Sequence, residues 1–413
     1  MNTILSNTSK NSSANTTHNA SSTFAAAEDA RPEVLVIQQQ LKQYRLGLHQ
    51  GLAEQLAAAG VRYRCAFSLP SHAEQQKGDN LLAPVAAWSD CISSWQWRGL
   101  VWQCPSRWRH ARVIVVEQAN KHLFNWWLLL QLALLPKWCW PQQRKPTLLF
   151  WGHGYNHQRP TGFGEWLKKR CLGLPTAWLS YTESVTAYLI SAGVPAARIT
   201  TLHNSLDTRD FAAQVALFRQ QKFAAEPASD IAKQQQQRPA PLVLLFCGSL
   251  YAEKQLPLLL AVTEALVDDG VVAKLIIVGD GPERTLVTDP PRAWLDYRGA
   301  CFGMDKARAY AEADLVFNPG LVGLAILDAF AAGLPMITTD FPGHSPEISY
   351  LRHEYNGLQL PMQRESLIRA ITKLQQEPAK LRNLSAQAKA SASHYSLENM
   401  VQNFARAVLQ YLA

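Results

Sequence analysis

Asn318-Pro-Gly-Leu-Val-Gly-Leu-Ala-Ile-Leu-Asp-Ala-Phe-Ala-Ala-Gly-Leu-Pro335 is the stretch whose reading decides the fold. The apolar run Asp314-Leu-Val-Phe317 before it reads as a buried strand. Pro319, Gly320 and Gly323 make a turn, and Leu324 to Ala332 has helical character. Gly333 and Pro335 end that helix, and Met336-Ile-Thr338 is the next strand. A helix start exposes unpaired N–H groups and roughly half a positive charge. Gly320, Leu321, Val322, Gly323 and Leu324 are therefore the expected cradle of a diphosphate, and Asp328 further along is the expected acceptor from ribose hydroxyls. Glycines serving as ordinary turns beside a packed helix fit the same residues, and both readings stay open at this point.

The same alternation extends outward. Leu242-Val-Leu-Leu-Phe246 and Ala273 to Val278 read as strands, with helices over Lys254 to Asp268 and Lys306 to Glu312. In the first half, 34–37, 113–116, 147–151 and 177–181 read as buried strands, with helices over 49–59, 165–172 and 183–192. Strands alternating with helices predict parallel sheets covered on both faces. The expected organisation is a disordered tail over 1–30, a Rossmann-like domain over 31–210 and a linker with some helical character over 211–241. A second Rossmann-like domain over 242–390 follows, then a C-terminal helix over 391–413. The linker rests on Pro227, Gln234 to Gln237 and Pro239. Ligands in such sheets bind beyond the carboxyl ends of the strands, where the glycine-rich breaks fall.

Three further breaks stand there. Gly248-Ser-Leu-Tyr-Ala-Glu-Lys254 follows a strand and offers Gly248, Ser249 and the cation Lys254. Gly279-Asp-Gly-Pro-Glu-Arg284 is a turn. Trp151-Gly-His-Gly154 leaves His153 between two glycines at a strand's end, which favours a cleft position over a packed one.

Composition narrows the class. Residues 1–207 carry 20 Lys/Arg against 11 Asp/Glu, and the remainder carries 20 against 21, so the net charge of +8 arises in the first half. Twelve of the 13 tryptophans lie there as well. A basic, Trp-rich half suits anionic lipid headgroups, a lipid-linked phosphate or sugar rings. No nucleic-acid motif accompanies the charge, so nucleic acid is not an expected partner. The seven cysteines form no C-x-x-C pair and read as free thiols of a reducing compartment. The apolar run Phe124 to Pro136 is too short to span a bilayer of ~30 Å and reads as a buried helix, or as one that also touches a membrane face.

Residues 242–358 resemble the sugar-nucleotide domain of the retaining glycosyltransferases called family 4, or group 1. The likeness runs through Phe246-Cys-Gly-Ser-Leu250, Glu253-Lys254, Ile277 to Arg284, Tyr310 to Leu315 and Pro319 to Pro335. It continues through Gly343-His-Ser-Pro-Glu-Ile348 and Tyr355-Asn-Gly357. The first half is a looser match, through Tyr44-Arg45, Trp151 to Gly154, Tyr181-Thr-Glu183 and His203-Asn204. The resemblance implies a GT-B fold with the last helix crossing back onto the first domain. It implies transfer of a sugar from a nucleoside-diphosphate sugar to a saccharide or lipid-linked acceptor, with retained configuration, no cofactor and no essential metal. It places the base near Gly299, Ala300 and Cys301, the sugar or phosphate beside Glu347, and His153 opposite the reacting sugar. Cell-surface polysaccharide or lipopolysaccharide assembly is the implied pathway, and the cytoplasm or the inner face of its membrane the implied location. The family's Glu-x7-Glu pattern is departed from at Gly320 and Asp328, and Ser249 stands where the family commonly has Arg. An epimerase with the same donor site, or a weakly active sugar-nucleotide-binding subunit, are the alternatives.

Overall fold

The computed structural model describes residues 31–70, 80–154, 166, 169–225 and 239–412. The expected tail, residues 165, 167 and 168 of the expected 165–172 helix and linker residues 226–238 lie outside the described residues, while 169–171 are helical.

Two parallel sheets build the chain. The first holds β1 (Glu33–Ile37), β2 (Arg62–Phe67), β3 (Ser89–Cys91), β6 (Val113–Glu117), β7 (Thr147–Gly152), β8 (Ala177–Ser180) and β9 (Ile199–Thr201), in the order β3-β2-β1-β6-β7-β8-β9. A small antiparallel hairpin, β4 (Ser94–Trp97) with β5 (Leu100–Gln103), stands beside it. The second holds β10 (Leu242–Cys247), β11 (Val272–Val278), β12 (Leu295–Tyr297), β13 (Leu315–Phe317), β14 (Met336–Thr339) and β15 (Gly357–Leu360), in the order β12-β11-β10-β13-β14-β15. Val34, Leu35, Val36, Leu244, Leu245 and Phe246 are fully buried, as central parallel strands covered on both faces require. The order turns back at β1/β6 and at β10/β13, so both sheets open a crevice at those carboxyl ends.

The helices used below are α1 (Leu46–Ala58), α2 (Leu123–Leu134), α3 (Glu183–Ser191), α4 (Arg209–Ala225), α5 (Leu256–Asp268), α6 (Arg284–Thr288), α7 (Gly303–Glu312), α8 (Ala325–Ala331), α9 (Arg364–Gln376), α10 (Pro378–His394) and α11 (Leu397–Leu409). The crossing helix is present. Leu397, Met400, Val401, Phe404 and Val408 of α11 belong to the core of the first domain. Gly47 and Gly51 of α1 make room for it: a Cβ at either would lie 2.8 Å from Leu397 or 2.9 Å from Val401. This is the GT-B arrangement.

One boundary is corrected. Residues 211–225, expected as linker, are most of α4, and that helix belongs to the second domain. Val215 is buried in its core, Phe211 packs edge-on against Tyr310, and Arg219 donates to the carbonyls of Ala332 and Tyr310. Sparse apolar residues hid it, since only one narrow face of α4 is covered. The apolar run 124–136 is largely α2. It buries Phe124 and Leu128 but leaves Leu130 and Leu134 exposed, with Trp138 beyond. Among the described residues no helix is long and apolar enough to cross a membrane. All seven cysteines are free.

Candidate functional site

The site is built where loops from both sheets meet. On the second domain, three loops lock together backbone to backbone. A Cβ on Gly279 would lie 1.9 Å from the Gly248 carbonyl oxygen, and one on Gly281 2.4 Å from that of Leu250. One on Gly320 would lie 2.2 Å from the Glu253 carbonyl oxygen. These glycines exist so that the loops after β10, β11 and β13 can touch. The main chain of Glu253 and Lys254 occupies the side of Gly320 where a Cβ would stand, so this glycine makes room for a neighbouring loop.

Two expected cradle amides are likewise spent inside the protein. Leu321 N–H donates to the Glu253 carbonyl at 2.7 Å, and Val322 N–H donates to His344 Nδ1 at 3.0 Å. His344 Nε2 in turn donates to the Thr339 carbonyl at 2.8 Å, which fixes the tautomer, and burial holds its pKa below the ordinary histidine range. Thr339 Oγ1 donates to the Pro319 carbonyl, and Asn318 Nδ2 to that of Leu321. The half-buried residues Gly323, Leu324 and Ala325 keep amides that make no hydrogen bond among the described residues. They begin α8, so the free donors lie one residue or more beyond the centre of the expected cradle.

Lys254 is buried, not a solvated surface lysine. Its ammonium donates to the Leu321 carbonyl at 2.5 Å and would lie 3.6 Å from a Cβ on Gly248. Burial lowers its pKa to about 8, against a smaller opposing pull from Cys247. A cation so placed, with its charge only partly met, is suited to an incoming anion. Asp328 is also buried, but Lys306 of α7 holds it at 2.7 Å. Lys306 went unread in the sequence because it sits on an ordinary helix and acquires its role only through packing. Its burial works against the charged form, yet Asp328 outweighs this and its pKa is raised. Beyond β12, Gly299 accepts from Gly279 N–H at 2.7 Å and takes φ +67° with open space at its Cβ position. Ala300 and Phe302 are exposed there and Cys301 is half-buried, so the expected base position is an open shelf beside the Gly279 loop. Ser249 is exposed at its rim.

The first domain supplies the facing wall through side chains. Arg45 is buried, with its guanidinium 4.7 Å over the Trp151 ring and Nη2 3.4 Å from the Tyr181 hydroxyl. Its Nη1 is buried without a hydrogen bond. His153 stands edge-on to Tyr181 at 4.3 Å. Across the gap, Asn204 Nδ2 donates to Glu347 Oε1 at 2.5 Å. The Tyr350 hydroxyl reaches the carbonyls of Tyr181 and Asn204. Burial raises the pKa of Glu347, while the bond from Asn204 and the charge of Arg45 pull it back. Glu347 and Arg45 are thus within electrostatic reach across the domain boundary. Neither Tyr350 nor the Asn204–Glu347 bond carries a local sequence signal.

Residues 241–377 match the family model described as Glycosyl transferases group 1. A GDP-mannose-dependent alpha-(1-6)-phosphatidylinositol dimannoside mannosyltransferase of Mycobacterium tuberculosis is 33% identical over 108 residues, which is 24% of this chain and 28% of that protein. The match thus spans little more than a quarter of the length of the curated relatives. Among solved structures, Anabaena HepE in complex with UDP superposes with a TM-score of 0.60 at 15% identity, covering 92% of this chain and 100% of that one. Sucrose-phosphate synthase of Thermosynechococcus elongatus gives 0.62 at 15% identity, over 92% and 99%. Identities that low establish the fold alone. The fold is therefore GT-B, and its second domain, over residues 241–377, carries the sequence pattern of the group 1 glycosyl transferases.

Proposed function

We propose that the protein transfers a sugar from a nucleoside-diphosphate sugar to an acceptor hydroxyl, with retained anomeric configuration in the manner of family 4. The observation that carries this reading is the group of amides left unbonded at Gly323, Leu324 and Ala325, in the domain that also holds the buried cation Lys254. The amides and Lys254 bind the diphosphate and stabilise its charge as it leaves, so no essential metal is required. Asp328, oriented by Lys306, accepts from the ribose, and the base lies on the Gly299 to Cys301 shelf beside Phe302. Glu347 contacts the donor sugar in place of the glutamate that Gly320 lacks, a position where no side chain fits. His153 and Arg45 line the acceptor side. Domain closure excludes water, which otherwise hydrolyses the donor.

A lipid-linked or saccharide acceptor fits the first domain's surface, and the reading extends to cell-surface polysaccharide assembly at the inner face of the cytoplasmic membrane. Residues 92–146 hold eight Lys or Arg and one acid, Glu117. Exposed Trp95, Trp97, Leu130, Leu134 and Trp138 stand among them. Such a face suits anionic headgroups.

The test is thermal unfolding against a panel of nucleotide sugars. It begins with UDP-glucose, bound by HepE, and GDP-mannose, used by the mycobacterial relative. A donor at 100 times its Kd stabilises by about 2.7 kcal/mol. The anomeric proton of the product, read by NMR, then reports retention. No stabilisation by any nucleoside diphosphate or its sugars would reject the proposal.

A further inference from the structure

Behind the Asn204–Glu347 contact, the two places where the chain passes between domains come together. The first passage runs from β9 into α4 and the second from α10 into α11. His203 lies in the first, two residues after β9, and His394 is the last residue of α10. Glu183, the first residue of α3, faces both. One ligating atom from each of Glu183, His203 and His394 lies within 4.8 Å of the others. His203 Nδ1 is 3.2 Å from Glu183 Oε1, but its geometry there is not that of a hydrogen bond, and this buried nitrogen has no hydrogen-bond partner. The two imidazoles meet edge to face at 5.1 Å. His203 also takes φ +57°, a left-handed conformation uncommon for a residue other than glycine, in a segment anchored by the Asn204 N–H bond to the Tyr181 carbonyl. Outliers of this kind cluster at ligand clamps and switch regions.

We propose that Glu183, His203 and His394 form a binding site for a divalent transition-metal cation of the Zn2+ class, placed on the hinge and not in the catalytic cleft. Two imidazoles and one carboxylate are a donor set of zinc sites, with a fourth position left to water. Tetrahedral ligands stand about 3.3 Å apart at zinc bond lengths. The cluster therefore contracts on binding, which exposed Glu183 and His394 allow by rotation. Glu183 and His203 belong to the first domain, whereas α10 packs on the second through Ala388. A bound ion then ties the domains together beside their only described chain crossings and biases the opening and closing of the cleft.

The experiment uses the full chain, freed of metal by a chelator that is then removed. Titration calorimetry with Zn2+ and the visible bands of tetrahedral Co2+ are the readouts, with X-ray scattering to follow the spread of domain separations. The expected result is one site per chain, a tetrahedral Co2+ spectrum and a narrower range of separations. His394→Ala and Glu183→Gln, both at exposed residues, each weaken binding more than about 10-fold, the least that losing even an outer partner of a metal site costs. His110→Ala, another exposed histidine, leaves binding unchanged. Absence of binding, or binding that survives both His394→Ala and Glu183→Gln, overturns the proposal. Neither readout depends on glycosyl transfer.

Discussion

The two walls of the cleft are made in different ways. The second domain presents backbone: Gly248, Gly279, Gly281 and Gly320 let three loops interlock, and the donors left over are amides around one buried lysine. The first domain presents large side chains, Arg45 over the Trp151 ring and Tyr181 edge-on to both Trp151 and His153. A backbone wall is fixed by the fold and suits a ligand part that is always the same, such as a diphosphate. A side-chain wall changes with substitution, at half-buried His153 with little cost to the core, and suits a part that varies, such as an acceptor. The second domain is also the part with a family match, and the first is not.

That contrast can be broken most forcefully at Lys254. Lys254→Ala removes the buried cation, and turnover with the donor found by the panel is expected to fall about 10²- to 10³-fold, the usual cost of a missing charge-stabilising donor. An unchanged kcat would place the diphosphate elsewhere. Next in size is Gly279→Ala. Its Cβ meets the Gly248 carbonyl at 1.9 Å, and overpacking of this kind costs about 1–3 kcal/mol or more in urea unfolding. His153→Ala on the opposite wall, a half-buried ring, is expected to alter acceptor kinetics while leaving the unfolding midpoint almost unmoved. If His153→Ala proves the more destabilising, the distinction between the walls fails. Asn204→Ala strips the buried Glu347 carboxylate of its donor and is expected to cost about 1–3 kcal/mol in stability.

The smallest expected effect is one of pH. Lys254 carries a pKa of about 8 in the fold, below its ordinary value, so it is an ammonium below pH 8 and neutral above. Donor affinity measured by titration is expected to decline as pH rises through 8, and Lys254→Arg is expected to abolish the decline, because Arg stays charged. The stability term runs the other way. The unfolded chain holds that proton more tightly, so between pH 8 and the ordinary lysine value the Lys254 contribution to stability rises with pH.

Legibility in the sequence followed the same divide. Strands and helices of both sheets were readable wherever apolar runs alternated with glycine or proline breaks, as at 242–247 and 325–335. The strands β2, β3, β9 and β15 were not, since none of them is a fully apolar run. Helix α4 was legible only as helical character within a linker, because its covered face is narrow. The loops of the site were legible as glycines, but their purpose was misjudged in part. A glycine makes room, and the sequence does not say whether a phosphate or another loop fills it. Gly320 is filled by Glu253 and Lys254. The pairing of Lys306 with Asp328 and that of Asn204 with Glu347 join residues 22 and 143 positions apart and leave no local mark.

The crossing helix α11 has a consequence for how the protein is made. It fills a groove on α1 lined by Gly47 and Gly51, yet it is synthesised after every described strand of both sheets. At about 5–20 residues per second, the ribosome needs on the order of 10 s or more after finishing the first sheet to deliver it. During that interval the earliest half of the nascent chain carries an uncovered apolar trough over Leu48 and Leu52. A stop codon just before Leu397 would make this exposure permanent and leave an aggregation-prone product.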